Sequence, residues 1–282
     1  MPFVRRKWRS TGLPRRENHW KTNSCNGQEA TKLRNGIRLI QNEWLKLTKK
    51  RSFWVPVSMM VLIAAMVTFM LYKFSSNLSE IDSAAAYLSG MMGASGLGQF
   101  VAILSIVGTA GIVAQEHAQG TIKFLLIRSR SRGEIFAAKY AAAVLYTLLM
   151  TLIAGVSMYA ASGFMFGFGG TGAQWLDVLK ESAYGLVYSI VYVTLAFMVG
   201  ALTRSTGVAI GVGLAGTMFG SLMIFKDFYK YVLFPNVNLS VYDTVGPPLP
   251  GMSIGFSLVV LAVYMALFLV AGYTVFRRRD VA

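Results

Sequence analysis

Apolar residues gather along this chain in long runs broken by short polar stretches. A hydrocarbon core about 30 Å thick needs roughly 20 apolar residues of helix at about 1.5 Å each. Runs of that kind cover residues 53–72, 97–114, 135–166, 183–202, 207–225 and 254–276. The third exceeds the requirement, which predicts a tilted helix or one that starts in the interface. Only Thr203-Arg204-Ser205-Thr206 joins the fourth run to the fifth. The pattern predicts an all-α polytopic membrane protein with six transmembrane helices.

A different periodicity precedes the first run. Leu33, Ile37, Ile40, Trp44 and Leu47 recur in alternating steps of four and three, which puts them on one helical face. Arg34, Arg38, Gln41, Lys49 and Lys50 form the polar side. Residues 33–51 are therefore expected to form an amphipathic interfacial helix, with Trp44 in the headgroup layer and its cations on anionic membrane lipid. The alternative is a cytoplasmic helix packed on another subunit. The direct passage into a membrane run favours the interface.

Composition sharpens the picture. The 282 residues are 55% hydrophobic and 14% charged, against roughly 25% charged in soluble domains. Lys and Arg number 27 against 12 acidic residues, a net charge of +15. In a soluble protein this excess would suggest nucleic acid. Here the basic residues crowd into the N-terminal tail, the 115–139 connector, Arg204 and the closing Arg277-Arg278-Arg279. The opposite loops hold Lys73, Lys180, Lys226 and Lys230. An even number of crossings puts both termini on one side, the charge asymmetry predicts that this side is the cytoplasm, and no nucleic-acid partner is left to invoke.

Residues 1–32 are basic and lack an apolar core, so they do not read as a secretory signal. They are expected to be a disordered cytoplasmic tail, or the product of an upstream start codon, ahead of a six-helix transmembrane domain at 33–282. The single cysteine, Cys25, allows no intrachain disulfide, and two histidines, His19 and His117, make a structural zinc site unexpected. No phosphate-binding Gly-x-x-x-x-Gly-Lys-Ser/Thr loop, zinc-protease motif or nucleophile elbow occurs. The chain is expected to be no enzyme and to hold no cofactor. Acidic residues are missing from the middle of the runs, which argues against an ion-coupled carrier.

The most specific stretch lies between the second and third runs: Gln115-Glu116-His117-Ala118-Gln119-Gly120-Thr121-Ile122-Lys123-Phe124-Leu125-Leu126, then Arg128, Arg130, Arg132 and Lys139. Ile122, Leu125 and Leu126 would give a short helix a small apolar face rimmed by cations. Ser131 followed by Glu134 reads as a capping box opening the third membrane helix. Such a helix suits insertion into a groove on another protein, or, equally, a turn resting on lipid heads.

Glu116, Gly120-Thr121, Leu125-Leu126, Ser131-Arg132 and Lys139, with Asn42-Glu43-Trp44-Leu45-Lys46-Leu47 and Lys49-Lys50-Arg51, resemble the permease subunits of type 2 ATP-binding-cassette exporters. The resemblance covers about residue 33 to the end. It implies a coupling helix that docks on a separate ATP-binding subunit, a role carried to Glu116, Gly120, Thr121, Lys123, Leu125, Leu126 and Arg132. It also implies that ATP and magnesium sit in that partner. A second permease, identical or related, would complete a complex in the bacterial cytoplasmic membrane. The cargo it implies is an amphipathic or hydrophobic compound, such as an antimicrobial peptide or a drug.

Gly207 and Gly211, and Gly216 and Gly220, stack four apart in the fifth run. They are candidates for permease–permease contact, or for packing within one subunit. The aromatic loop 226–253 is expected, by resemblance, to form a small outer helical cap. Two readings compete with the permease: a non-transporting membrane scaffold or regulator, and an ion-coupled secondary transporter.

Overall fold

The computed structural model describes residues 36–74, 83–112, 131–219 and 227–278. Among them the secondary structure is helical, with no strand. Contacts divide the chain at Arg38–Leu39; of the first unit only residues 36–38 are described, and they are helical.

Helix α1 covers 36–48. A tight turn follows, in which the Trp54 indole N–H donates to the Thr48 carbonyl at 2.9 Å. Helix α2, Arg51–Phe74, buries Phe53, Pro56, Met60, Ala64 and Thr68, a single stripe at helical spacing. Its other side exposes Trp54, Leu62, Met66 and Phe69, a surface suited to lipid.

The second apolar run, 97–114, opens with a helix that a further, unpredicted helix precedes. Helix α3, Ala84–Met92, starts at the Ser83 cap, and helix α4, Leu97–Thr109, follows at a bend of 58°. Neither half is long enough to cross a bilayer alone at about 1.5 Å per residue. Helix α5, Arg132–Phe166, and helix α6, Gly172–Thr203, are both long enough. Thr171 and Gln174 close a reciprocal capping box at the start of α6. This helix begins at Gly172 rather than near residue 183, because Asp177, Lys180 and Glu181 ride on its opening turns and interrupt the apolar pattern.

Arg204 ends α6 in the left-handed conformation, φ 57°, and with Ser205 forms the whole corner before helix α7, Thr206–Phe219. A 3₁₀ turn, Asp227–Tyr231, and the short helices α8, Leu233–Val237, and α9, Val241–Thr244, occupy the aromatic segment expected to be helical. Helix α10, Ile254–Arg278, completes the described fold.

Helix α6 packs on α3, α4, α5, α7 and α10. Of its apolar window 67% is buried, against 11% in α10, so α6 is the core helix and α10 a peripheral one. Close crossing with α4 is possible because both contribute glycine: a Cβ on Gly98 would come within 3.2 Å of Gly185 Cα. Ser189 Oγ donates to the Gly185 carbonyl at 2.8 Å.

Four described helices are long and apolar enough to span a membrane, and the α3–α4 pair raises this to five if it forms one broken span. The described part of α7, 14 residues long, is shorter than a span. Six crossings therefore go beyond what the described helices establish.

Candidate functional site

The structure draws together the ends of α1, α5 and α10. Ser131 Oγ accepts a hydrogen bond from the Glu134 backbone N–H at 3.2 Å, so α5 starts where its cap was expected. Arg132 Nη1 donates to the Arg277 carbonyl at 2.8 Å in the last turn of α10. A cation there satisfies a helix-terminal carbonyl and opposes the negative end of the helix dipole. Glu116, Gly120, Thr121, Lys123, Leu125 and Leu126, the other residues assigned to the connector, lie outside the described residues.

Further into α5, Lys139 is 1% exposed. Its ammonium meets Glu43 Oε2 of α1 at 2.9 Å, while Lys46 holds the other oxygen, Oε1, at 2.8 Å. Both oxygens of one carboxylate are thus engaged from two helices. Burial by itself would raise the Glu43 pKa; the Lys139 charge, with the Lys46 hydrogen bond, outweighs it and holds the carboxyl below the ordinary glutamate value of 4.5.

Aromatic packing surrounds the pair. Phe53 of α2 meets Trp44 of α1 edge-on at 5.8 Å and Tyr146 of α5 at 5.1 Å. Tyr146 O–H also donates to the Phe53 carbonyl at 3.2 Å. Tyr146 is seven residues beyond Lys139, so both project from one face of α5. Leu47 is buried beside them, whereas Ile37 is 56% exposed. The buried face of α1 therefore includes Glu43, which hydrophobic periodicity alone leaves out. The available signal is its spacing, four before Leu47 and three after Ile40. Lys139 belongs to the interior of α5 and not to a solvated connector.

The glycine candidates separate. Gly216 is buried, with Tyr192 and Leu195 of α6 around it, so it serves packing within this chain. Gly207 and Gly211 are exposed. Gly220 lies outside the described residues.

At the opposite end of α5, the Gly167 and Gly169 carbonyls accept from the Ala84 and Ala85 N–H groups. A cavity of about 480 Å³ lies at the α3–α4 break, lined in part by Ser95, Asp177, Lys180, Glu181 and Asp243. Lys180 pairs with Asp243 at 2.8 Å, and Ser240 Oγ donates to Glu181 Oε2 at 2.7 Å. The spacing of these residues in sequence gives no warning of their convergence.

A family described as "Protein of unknown function (DUF2705)" matches residues 48–282. The chain belongs to that family. The match to DUF2705 takes in Lys139 and begins after Glu43. The chain is similar to "Uncharacterized protein YhcI" of Bacillus subtilis (strain 168), at 27% identity over 87% of this chain and 99% of that protein. It is also similar to "Uncharacterized membrane protein YdbK" of the same strain, at 27% identity over 63% of this chain and 76% of that protein. With its apolar helices, this DUF2705 chain is a multi-pass membrane protein.

Proposed function

We propose that this chain is the permease subunit of an ATP-binding-cassette exporter. It crosses the bacterial cytoplasmic membrane six times and keeps both termini in the cytoplasm. ATP and magnesium bind a separate subunit, which docks on a coupling element containing Glu116, Gly120, Thr121, Lys123, Leu125, Leu126 and Arg132. A second permease completes the pathway, and the cargo is an amphipathic or hydrophobic compound such as an antimicrobial peptide or a drug.

The observation that carries this reading is mechanical. The basic connector runs directly into the first turn of α5, and that end of α5 is braced to α1 by Lys139 and to α10 by Arg132. A force applied to the connector would reach three helices at once. Rocking of packed helices between two arrangements is a known way for such force to open a path. Nothing in this chain needs to bind nucleotide for that to work.

The test is affinity purification from gently solubilised membranes, followed by ATPase and vesicle-uptake assays. An ATP-hydrolysing companion is expected, together with ATP-dependent uptake into inverted vesicles. Gly120→Pro should lower uptake per ATP hydrolysed while leaving the amount of chain in the membrane unchanged. Recovery of the chain without any nucleotide-hydrolysing companion would overturn the reading and favour a non-transporting scaffold.

A further inference from the structure

We infer that Glu43 and Lys139 are positioning residues whose ion pair makes α1 and the opening turns of α5 a single moving part. Their use in transport rests on the permease reading; the mechanical union of the two helices does not.

The geometry distinguishes this pair from a surface contact. The Lys139 side chain is 1% exposed and that of Glu43 10%. Surface ion pairs are weak because water and salt compete for both partners. Here water is largely excluded, and the two carboxylate oxygens are held from different directions, Oε2 by Lys139 and Oε1 by Lys46. The carboxylate therefore has a fixed orientation as well as a fixed position.

The apolar contacts of α1 do not supply that registration by direction, and the Thr48–Trp54 hydrogen bond pins the end of α1 to α2 and not to α5. Leu47 and the ring of Trp44 give α1 an apolar face against its neighbours. Apolar surfaces are non-directional, and an amphipathic helix can shift along them at little cost. A buried, doubly engaged carboxylate tolerates no such slip, because displacement by one turn would leave a desolvated charge without the partner it faced. The best-attested use of a buried polar pair is to fix register, and its stabilising value is often small. In this chain the registered elements are the helix entering the first span and the helix leaving the basic connector.

The test is pulsed electron–electron distance measurement on the full chain in lipid nanodiscs. Spin labels are placed at Asn42 and Ala137, both exposed, after Cys25→Ser. The expected result is one narrow distance distribution that Lys46→Met leaves intact and that Glu43→Gln and Lys139→Met each broaden. If the single variants unfold, the volume-conserving double variant Glu43→Met with Lys139→Met decides. It should melt near the wild-type temperature yet show a broadened distribution. A narrow distribution in that folded double variant, or unchanged widths in both single variants, would overturn the union of α1 with α5.

This readout needs no ATPase companion, so it is independent of the permease reading. In a transporting complex, Glu43→Gln is expected to lower the ratio of transport to hydrolysis at least about fivefold, the lower end of ordinary coupling between sites. An unchanged ratio despite broadened distances would overturn the transport role and leave the mechanical pairing in place.

Discussion

Glu43 illustrates how strongly a buried charge depends on its partner. Removing Lys139 while leaving the carboxylate should cost roughly 3–5 kcal/mol, the range for breaking a buried pair. Lys139→Met is therefore expected to lower the melting temperature in detergent by about 5–15 °C, more than Lys46→Met does. The depressed Glu43 pKa fixes the sign of the pH effect. Between that value and 4.5 the unfolded chain binds more protons than the folded one. The stabilisation is fully present above this window and is lost as pH falls through it. An acid melting series should show this loss in wild type and not in Glu43→Gln. A hydrophobic-pattern reading finds Trp44 and Leu47 readily, but it treats a glutamate beside them as solvated. Only the facing lysine, 96 positions away, makes it a buried residue.

Asn236 plays a similar part at the other end. Its Nδ2 donates to the Lys230 and Val232 carbonyls at 2.8 and 2.7 Å, and its Oδ1 accepts from Ser257 Oγ at 2.8 Å. One side chain ties the 3₁₀ turn, α8 and α10. Asn236→Leu removes all three bonds and takes that donor from two half-buried carbonyls, which should cost about 1–3 kcal/mol. Hydrogen exchange should show faster opening across 227–244, with α5 unaffected.

Elements are held apart or together by what lies at their crossings. Gly185 lets α6 approach both α3 and α4: a Cβ on it would stand 2.5 Å from the Met92 carbonyl oxygen at the end of α3 and 3.6 Å from Gly98 Cα of α4. That clash is with backbone and cannot be relieved by a rotamer change. Gly185→Leu is expected to reduce the folded yield in membranes severely, as read by size-exclusion chromatography, whereas Gly211→Leu on the exposed side of α7 should not. Long apolar runs predict α2, α5 and α10 well because lipid demands uninterrupted helix. The same logic fails at α3, whose nine residues are too few to register as a span. It also fails at the start of α6, where charged side chains share turns with apolar ones. Tertiary packing extends the helix beyond its apolar stretch.

For the whole molecule, both membrane character and the excess of basic residues at one set of loops are legible from sequence. The number of crossings is less so, because a bent pair and a helix described over 14 residues do not declare how deeply they enter the bilayer. Single cysteines at Ala137 and Gly172, in a Cys25→Ser background, test the proposed orientation. In sealed right-side-out vesicles, a membrane-impermeant maleimide should label Gly172→Cys and spare Ala137→Cys until the membrane is opened. The reverse labelling would invert the topology and place the basic connector outside the cell. The convergence of α1, α5 and α10 could not be read from the chain. It depends on contacts between residues far apart in sequence, such as Arg132 and Arg277.

The corner at Arg204 has a consequence for how the bundle can part. With only Arg204 and Ser205 between them, α6 and α7 are joined like the blades of tweezers at their closed end. Sliding of one along the other is restrained there, and any gap between them must widen toward the distant tips. A solute passing along this seam would meet its broadest opening on the side away from the corner.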